Sequence, residues 1–387
     1  MPPTLPIELY APILTHIESP RELARISSAS RTFHGETMPH LLHTVTMRRD
    51  VPQQLTFYAT LSVHPRWYLL IRSLSVRILP MRAAELLGET LPLMTNLRHL
   101  GLIRSDCPAI TGRDWILPVP EKRHLVQLDS LDNRELGLGD ILRFYESQPS
   151  IKSLKHSQSY TCNDVDAGSV PDHILPNLTI LECDGDLITK FASSRPITHL
   201  KITLESTFAA EQEIIGALEL FRSSLVSVCL DRSGRGVDRE QDAPSIIASI
   251  GSKVPNIRRL TIWSDSVDVW DLWNGIDDGE TLLHRFCFSF THFHNLHTII
   301  FDCSSLGWID ICFAANSPSE IAHAVMSKPW LKTLVVFAFL FHHKPDEQSD
   351  SDSEDYAMYR FVRASDGELQ GEVVDQKELE EEWRSSI

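Results

Sequence analysis

The stretch Leu97-Arg98-His99-Leu100-Gly101-Leu102 has the pattern Leu-x-x-Leu-x-Leu, and this pattern recurs along the chain. Clear copies begin at Ile71, Ile151, Leu178, Ile197, Leu225, Ile257, Leu296 and Leu331, and a weaker copy lies at Leu125 to Leu128. The fourth residues of most copies are 19 to 32 residues apart, a period typical of solenoids built from strand-plus-helix repeats. One such repeat cannot bury its apolar face alone, so we expect neighbours to stack and their strands to form a parallel sheet. An ordinary α/β domain is the alternative.

Prolines mark the boundaries of the repeats. They precede six of the copies, at Pro92, Pro149, Pro176, Pro196, Pro255 and Pro329. Proline cannot continue a helix and favours extended backbone in the residue before it, so each repeat is predicted to end a helix and begin a strand. We expect helices within 80–91, 140–147, 208–222, 244–253 and 318–327, whereas the step from Leu181 to Leu200 is too short for a full helix.

Residues on either side of the fourth motif position are predicted to lie on the concave face of the sheet, because successive strand side chains point to opposite faces. The basic members of this face are His99, Lys155, His199, Lys201 and Arg259, to which Trp263 and Trp270 of the tryptophan-rich segment 263–278 are added as target-binding candidates. These residue types suit an acidic or phosphorylated target. A solvated sheet with scattered charge, and tryptophans that fill a core, are the open alternatives.

The segment before the first clear copy has helical rather than strand periodicity. Tyr10, Ile13, Leu14 and Ile17 recur at helical spacing. Ser19-Pro20-Arg21-Glu22 is the start signal of a second helix, and a third is predicted around Phe33 to Leu42. The residues Leu5-Pro6-x-Glu8-Leu9, Ile13-Leu14, Ile17, Leu23, Ile26-Ser27, Ser30-Arg31, Phe33 and Leu41-Leu42 resemble an F-box. The copies that follow resemble the irregular leucine-rich repeats of the fungal F-box/LRR family.

This resemblance implies the substrate-recognition subunit of an SCF-type ubiquitin ligase. It implies that Leu5, Pro6, Ile13, Leu14 and Leu23 bind a Skp-family adaptor and, through it, a cullin. The repeats would hold an unknown target protein, and the chain itself would contribute proximity rather than catalysis. The alternative is a leucine-rich-repeat interaction scaffold unrelated to ubiquitin, whose first helices serve only as a cap for the solenoid.

The predicted fold class is therefore α/β, with a helical module at residues 1–50 followed by an irregular repeat solenoid with a parallel concave sheet at residues 51–344. Residues 345–357 form an acidic segment expected to be disordered and suited to an acid-preferring kinase. Residues 358–387 are predicted to form a hairpin, turning at Asp366-Gly367, and a short helix over Lys377 to Arg384.

Composition and motifs exclude several other functions. The net charge of −16 argues against a nucleic-acid partner, and no apolar run is long enough for a membrane span. The start lacks the pattern of a secretory signal, and seven irregularly spaced cysteines favour a reducing compartment, so we expect the cytoplasm or nucleus. No motif of a hydrolase or metalloenzyme is present. The spacing of Cys287, His292, His294, His297 and Cys303 does not fit structural zinc, so neither a metal nor a cofactor is predicted.

Overall fold

The structure is a computed structural model of the chain, and it describes residues 6–17, 19–47, 51–77, 81–103, 126–157, 168–191, 195–204, 208–232, 243–264, 279–303, 317–342, 356–375, 378–379 and 383. The protein belongs to the α/β class, and the described residues contain thirteen mostly parallel strands. The chain divides into two compact units, Met1–Leu178 and Thr179–Ile387.

Unit 1, Met1–Leu178, begins with three helices and continues as a parallel sheet. Its helices are α1 (Tyr10–Thr15), α2 (Pro20–Ser27), α3 (Arg31–His43), α4 (Val51–Val63), α5 (Met81–Thr90) and α6 (Leu138–Glu146). Its strands are β1 (Thr44–Met47), β2 (Ser73–Arg77), β3 (His99–Ile103), β4 (Ser130–Asn133) and β5 (Ser153–His156), paired in chain order and all parallel. The sheet therefore begins at Thr44, inside the segment that the sequence assigned to the helical module.

Unit 2, Thr179–Ile387, alternates strands with helices and ends in a hairpin. Its helices are α7 (Ile188–Phe191), α8 (Phe208–Ala217), α9 (Ala243–Lys253), α10 (Gly279–Ser289) and α11 (Pro318–Met326). The parallel strands are β6 (Ile180–Asp184), β7 (His199–Thr203), β8 (Ser227–Asp231), β9 (Arg259–Ser264), β10 (Thr298–Cys303) and β11 (Val336–His342). The antiparallel strands β12 (Tyr356–Arg363) and β13 (Leu369–Val374) follow.

The predicted motif sets the register of most strands. Leu74 pairs with Leu100 in unit 1, and Leu181, Leu200, Val228, Leu260 and Ile299 are aligned in successive strands of unit 2. All of these side chains are buried. The prediction of parallel strands with their motif leucines in the core is confirmed.

Two copies were assigned in the wrong register. The strand partner of Leu100 and Leu154 is Leu131, not Leu128, and the partner of Ile299 is Phe337, not Leu334. In both places apolar residues recur every three positions for longer than one copy of the motif. The motif can therefore be placed on the sequence in two registers that differ by three residues. The structure uses the later frame in each case.

The predicted helices form in α5, α6, α8, α9 and α11, and α7 has only four residues, as the short step requires. Helix α11 begins with a complete capping box, in which Ser317 Oγ accepts from the Glu320 N–H and a Glu320 carboxylate oxygen accepts from the Ser317 N–H. None of the described helices has both the length and the apolarity that crossing a bilayer would require.

Helix α8 is tied to strand β8 by a buried ion pair. Arg232 Nε lies 2.8 Å from Glu211 Oε1, and Arg232 Nη2 donates to Glu211 Oε2 at 3.3 Å. The two side chains are only 5% and 4% exposed. A buried pair of this kind fixes the position of a helix, because either charge alone would be costly to bury.

The predicted C-terminal hairpin is confirmed. Strand β12 pairs antiparallel with β11 and with β13, and the turn contains Gly367 at φ 89°, a left-handed conformation that favours glycine. Of the predicted terminal helix, Glu378 and Leu379 are helical and its other residues lie outside the described ones, apart from Trp383 in a turn. The predicted disordered acidic segment, residues 345–357, lies outside the described residues up to Asp355, but Tyr356 and Ala357 belong to β12, so the prediction is wrong for these two residues.

Candidate protein-interaction surfaces

Helices α1 to α3 form a small packet with its own interior. Ser19 and Ser30 are the N-caps of α2 and α3, where their hydroxyl oxygens accept from the backbone N–H groups of Glu22 and Phe33. The rings of Tyr10 and Phe33 stack with centroids 4.6 Å apart, joining α1 to α3. Helices α1, α2 and α3 lie where the sequence predicts helices, and α3 contacts both α1 and α2.

The predicted adaptor-binding residues are divided between the interior and the surface of this packet. Leu14 and Leu23 are buried, so the expectation that they face an adaptor is not met. Their position follows the general rule that the apolar stripe of a helix faces the core. Pro6 and Ile13 are exposed, with Ile13 at 47%, and Leu5 lies outside the described residues.

Sequence reasoning did not select Leu9, which is 46% exposed and lies four residues before Ile13. Residues four apart on helical backbone lie on one face, and here the backbone from Ile7 through Thr15 runs from a short 3-10 turn into α1. Leu9 and Ile13 are thus large apolar side chains exposed at the start of the chain. The helical spacing of the sequence does not distinguish Ile13 from Leu14, and only the structure shows that Leu14 is the one that turns inward.

The outer face is the name used here for the sheet face that carries residues next to the fourth motif position. In unit 1 this face is accessible: His99 is exposed, and Ser73, Ser130 and Lys155 are half-buried. A hydrogen bond joins His99 Nδ1 and Ser130 Oγ at 2.6 Å across neighbouring strands. His99 and Lys155 therefore lie on the face where the sequence predicted them.

An acidic residue that sequence reasoning missed also lies on the outer face of unit 1. Asp132 is the strand partner of Lys155. The sequence pattern did not place Asp132 on this face because the motif copy in this strand was predicted in the wrong register. Arg134 Nε and Nη2 donate to the two Asp132 carboxylate oxygens at 2.9 and 2.8 Å. This hydrogen bonding raises the pKa of the Arg134 guanidinium. The face is consequently of mixed charge rather than simply basic.

A buried polar network lies behind this face at the end of β4 and β5. Asn133 Nδ2 donates to the Leu136 carbonyl, and Asn133 Oδ1 accepts from the Leu136 N–H at 3.0 Å, which fixes the orientation of the amide. Nδ2 also lies 3.2 Å from His156 Nδ1, and Tyr145 Oη lies 2.5 Å from the same nitrogen. Because an amide nitrogen only donates, His156 Nδ1 is the acceptor. Burial raises the pKa of the Tyr145 hydroxyl, which keeps it a donor.

In unit 2, the accessible part of the outer face contains Lys201. Its ammonium group lies 4.4 Å from the centroid of the Trp263 ring and 3.8 Å from Asp231 Oδ2. A cation above an indole and beside a carboxylate is held in place by both groups. His199 is half-buried on the same strand, and Trp270 lies outside the described residues.

Arg259 does not lie on an open surface. It was predicted to meet an acidic target, but only 9% of its surface is exposed. Its neighbours on the outer face are also buried: Glu182, Ser227, Thr261, Thr298 and Ile300. The prediction that this part of the face is open to a partner is therefore wrong, because its side chains are buried.

Two described residues near the end of the chain, Leu379 and Trp383, contact this face. Leu379 packs in one cluster with Ile300, Ala338 and Met358, with Val374 at its edge. Ser227 Oγ donates to the Trp383 carbonyl at 2.8 Å, and the Trp383 side chain is fully buried. Leu379 therefore lies against Ile300 of β10, and Trp383 against Ser227 of β8.

The described residues contain no group of three or more His, Cys, Asp or Glu side chains that could hold a metal ion. Cys287 is buried, whereas His292 and His294 are exposed. Burial raises the pKa of the Cys287 thiol to about 11.

A mainly apolar cleft in unit 1 lies between α3 and α4. It has a volume of about 480 Å³ and is lined by Met38, Leu42, Pro52, Gln53, Thr56, Phe57, Thr60, Leu61 and Trp67. These side chains supply neither a nucleophile with an adjacent base nor a charged group. The cleft therefore offers apolar contact area rather than reaction chemistry.

Comparison with known proteins adds no further identification. No protein-family model matches the chain, and a search of curated proteins finds no sequence that matches it significantly.

Proposed function

We propose that the protein is the substrate-recognition subunit of an SCF-type ubiquitin ligase. In this proposal the N-terminal helices bind a Skp-family adaptor, which links the chain to a cullin, and the sheet surface binds a target protein. The chain itself performs no chemistry; it raises the local concentration of the target near a ubiquitin-transferring enzyme.

The observation that carries the proposal is the exposed apolar pair Leu9 and Ile13 on a helical packet that precedes a parallel repeat sheet. Large apolar side chains in well-packed contact with a partner contribute most of the energy of a protein interface. Together with the F-box resemblance of the same residues, this favours α1 as the adaptor-binding element. Pro6, exposed just before it, extends the surface.

The outer face of unit 1 supports the second half of the proposal. His99, Lys155 and the Asp132–Arg134 pair give it accessible groups of both charges. Charged groups that remain accessible direct partner choice and association rate more than they add affinity. A target with complementary charge would therefore be selected here.

A repeat scaffold without a link to ubiquitin is the second candidate. The observation that favours it is the burial of Leu14 and Leu23, which hold the packet together as a simple cap would require. The two candidates differ in one respect that can be measured, since only the first requires Leu9 and Ile13 to contact an adaptor.

The test is capture of a purified Skp-family adaptor by the intact chain. Leu9→Asp/Ile13→Asp should reduce capture by roughly 30-fold or more, because a hot-spot contact contributes about 2 kcal/mol. The control is Val63→Asp, which places one such carboxylate on an exposed apolar position of α4, at 72% exposure. Capture that is absent from the unaltered chain, or insensitive to the double variant, would leave the scaffold as the function.

A further inference from the structure

Strand β1 is the first strand of the sheet, and among the described residues it pairs with β2 alone. On the β2 side, the His43 carbonyl accepts from the Arg72 N–H at 3.1 Å. The C=O and N–H of one trans peptide point in opposite directions, so the Thr44 N–H points away from β2. Because the pattern alternates along a strand, the backbone groups of Thr46 point the same way. The backbone of Thr44 and Thr46 can therefore pair with a further strand.

The apolar side chains of β1 also lack a neighbour on this edge. Val45 and Met47 pair with Leu74 and Val76, which are buried on the core side of β2. Val45 and Met47 themselves are only half-buried. Strand β2 covers one side of each, and a strand added at the open edge would cover the other.

The sequence of β1 does not protect this edge against pairing. Exposed edges usually carry charged residues, proline or a bulge. Strand β13, which also pairs with one strand only among the described residues, carries Glu372 in an ion pair with Arg360. Strand β1 reads Thr-Val-Thr-Met, without a charge or a proline, and its three β-branched residues favour strand structure. Its composition is that of a strand that accepts a neighbour.

A cleft of about 950 Å³ leads to the edge of β1. It is lined by residues of β1, of the end of α3 and of the chain around the α1–α2 connection, and Thr44, Val45 and Thr46 all contribute. Since successive side chains of a strand point to opposite faces, a cleft that reaches three consecutive residues reaches the edge of the strand itself. Its lining includes the half-buried apolar side chains of Ile17 and Phe57. The cleft thus suits a chain segment that carries apolar side chains.

We propose that the edge of β1 binds an extended segment of a partner protein by β-strand addition. The segment pairs its backbone with Thr44 and Thr46 and places apolar side chains, at every second position, beside Val45 and Met47. A single extended segment fits the cleft, whereas a second copy of the chain would have to bring its own helical packet to the same edge. The inference does not rest on the proposed function, because a repeat scaffold would have the same edge.

The test uses the full chain and a fluorescently labelled peptide with the sequence of residues 71–77, which contains β2, the strand that pairs with β1 in the sheet. Thr46→Pro removes an N–H that points away from β2, and edge strands tolerate proline at such a position. This variant should bind the peptide at least roughly tenfold more weakly than the unaltered chain does. Thr46→Val, the matched control, keeps the N–H and should bind as the unaltered chain does.

Two N-methylated forms of the peptide test the backbone pairing on the unaltered chain, so this arm does not depend on the folding of a variant. One form carries methyl groups on the even-numbered amides and the other on the odd-numbered amides. Only every second amide of an added strand faces its neighbour, so one form should lose binding and the other should keep it. Equal binding of the two forms, or no binding of the unmodified peptide at millimolar concentration, overturns the proposal.

Hydrogen exchange identifies the edge that is occupied. The peptide should slow the exchange of the Thr44 and Thr46 amides and leave that of Val45, on the β2 side, unchanged. Exchange that is unaffected by the peptide overturns the proposal. Protection that instead rises with the concentration of the chain alone would show that a second copy occupies the edge, and it would overturn the proposal as well. No adaptor takes part, so these outcomes are independent of the adaptor test.

Discussion

Removing one partner of the Glu211–Arg232 pair should destabilise unit 2 more than removing both. In Glu211→Ala the guanidinium of Arg232 remains at a site where its side chain is almost fully enclosed. It also loses the two contacts, at 2.8 and 3.3 Å, that compensate its charge. The perturbation therefore removes the carboxylate partner of a guanidinium that remains in the interior.

The magnitude follows from that burial. Breaking a buried ion pair on one side costs about 3 to 5 kcal/mol, whereas replacing both members with apolar residues of similar volume is often neutral or stabilising. We therefore expect Glu211→Ala and Arg232→Leu to lose about 3 kcal/mol or more each. The double variant Glu211→Ala/Arg232→Leu, which combines the same two changes, should lose far less than the sum, which is the signature of direct coupling.

Hydrogen exchange is the appropriate assay, because it reports the opening of α8 and β8 separately from the rest of the chain. A loss of 3 kcal/mol corresponds to roughly a hundredfold faster exchange of the α8 amides. The reasoning fails if the single variants change exchange by less than about twofold, or if the double variant is as unstable as either single one.

Three further predictions concern local features. The Ser317 N–H and hydroxyl hold the pKa of Glu320 below its ordinary value of 4.5, so the cap stabilises α11 fully above that value. This stabilisation is lost as the pH falls through the lowered folded-state pKa, and thermal unfolding of Glu320→Gln should lack this acid dependence. Gly251→Ala should destabilise the protein by about 1–3 kcal/mol, since its Cβ would lie 2.8 Å from the His292 Cβ. Gly216→Ala, with open space around it, should stabilise it by about 0.5–1 kcal/mol, and denaturant unfolding of the two variants measures the contrast. Cys287, whose pKa burial raises to about 11, should be alkylated by iodoacetamide in denaturant but only slowly in the folded chain, as site-specific mass spectrometry would show.

The repeat sheet could be predicted from the sequence because its determinants are local. The motif leucines fix which face of each strand is buried, and the prolines fix where the preceding helix ends. The two register errors arose where Leu128 and Leu131, or Leu334 and Phe337, offered alternative frames three residues apart. Choosing between such frames requires the neighbouring strand, which local sequence does not contain.

The candidate surfaces were less predictable because their burial depends on distant residues. Arg259 and Ser227 have the pattern of exposed strand positions, but both are buried, and Ser227 donates to the carbonyl of Trp383, more than a hundred residues later in the chain. Nothing in the alternation of β8 or β9 indicates this burial. Similarly, the spacing of Ile13 and Leu14 identifies an apolar stripe in α1 but not which of them faces the other helices.

Cross-linking from α1 to the adaptor tests the central claim most directly. A photoreactive amino acid in place of Ile13 in the intact chain should cross-link to a purified Skp-family adaptor, because the proposal places this exposed side chain in the interface. The same photoreactive group at Val63, an exposed apolar position on α4, should not. A cross-link from position 63 equal to that from position 13, or none from position 13, would contradict the proposal that α1 recruits a ubiquitin ligase.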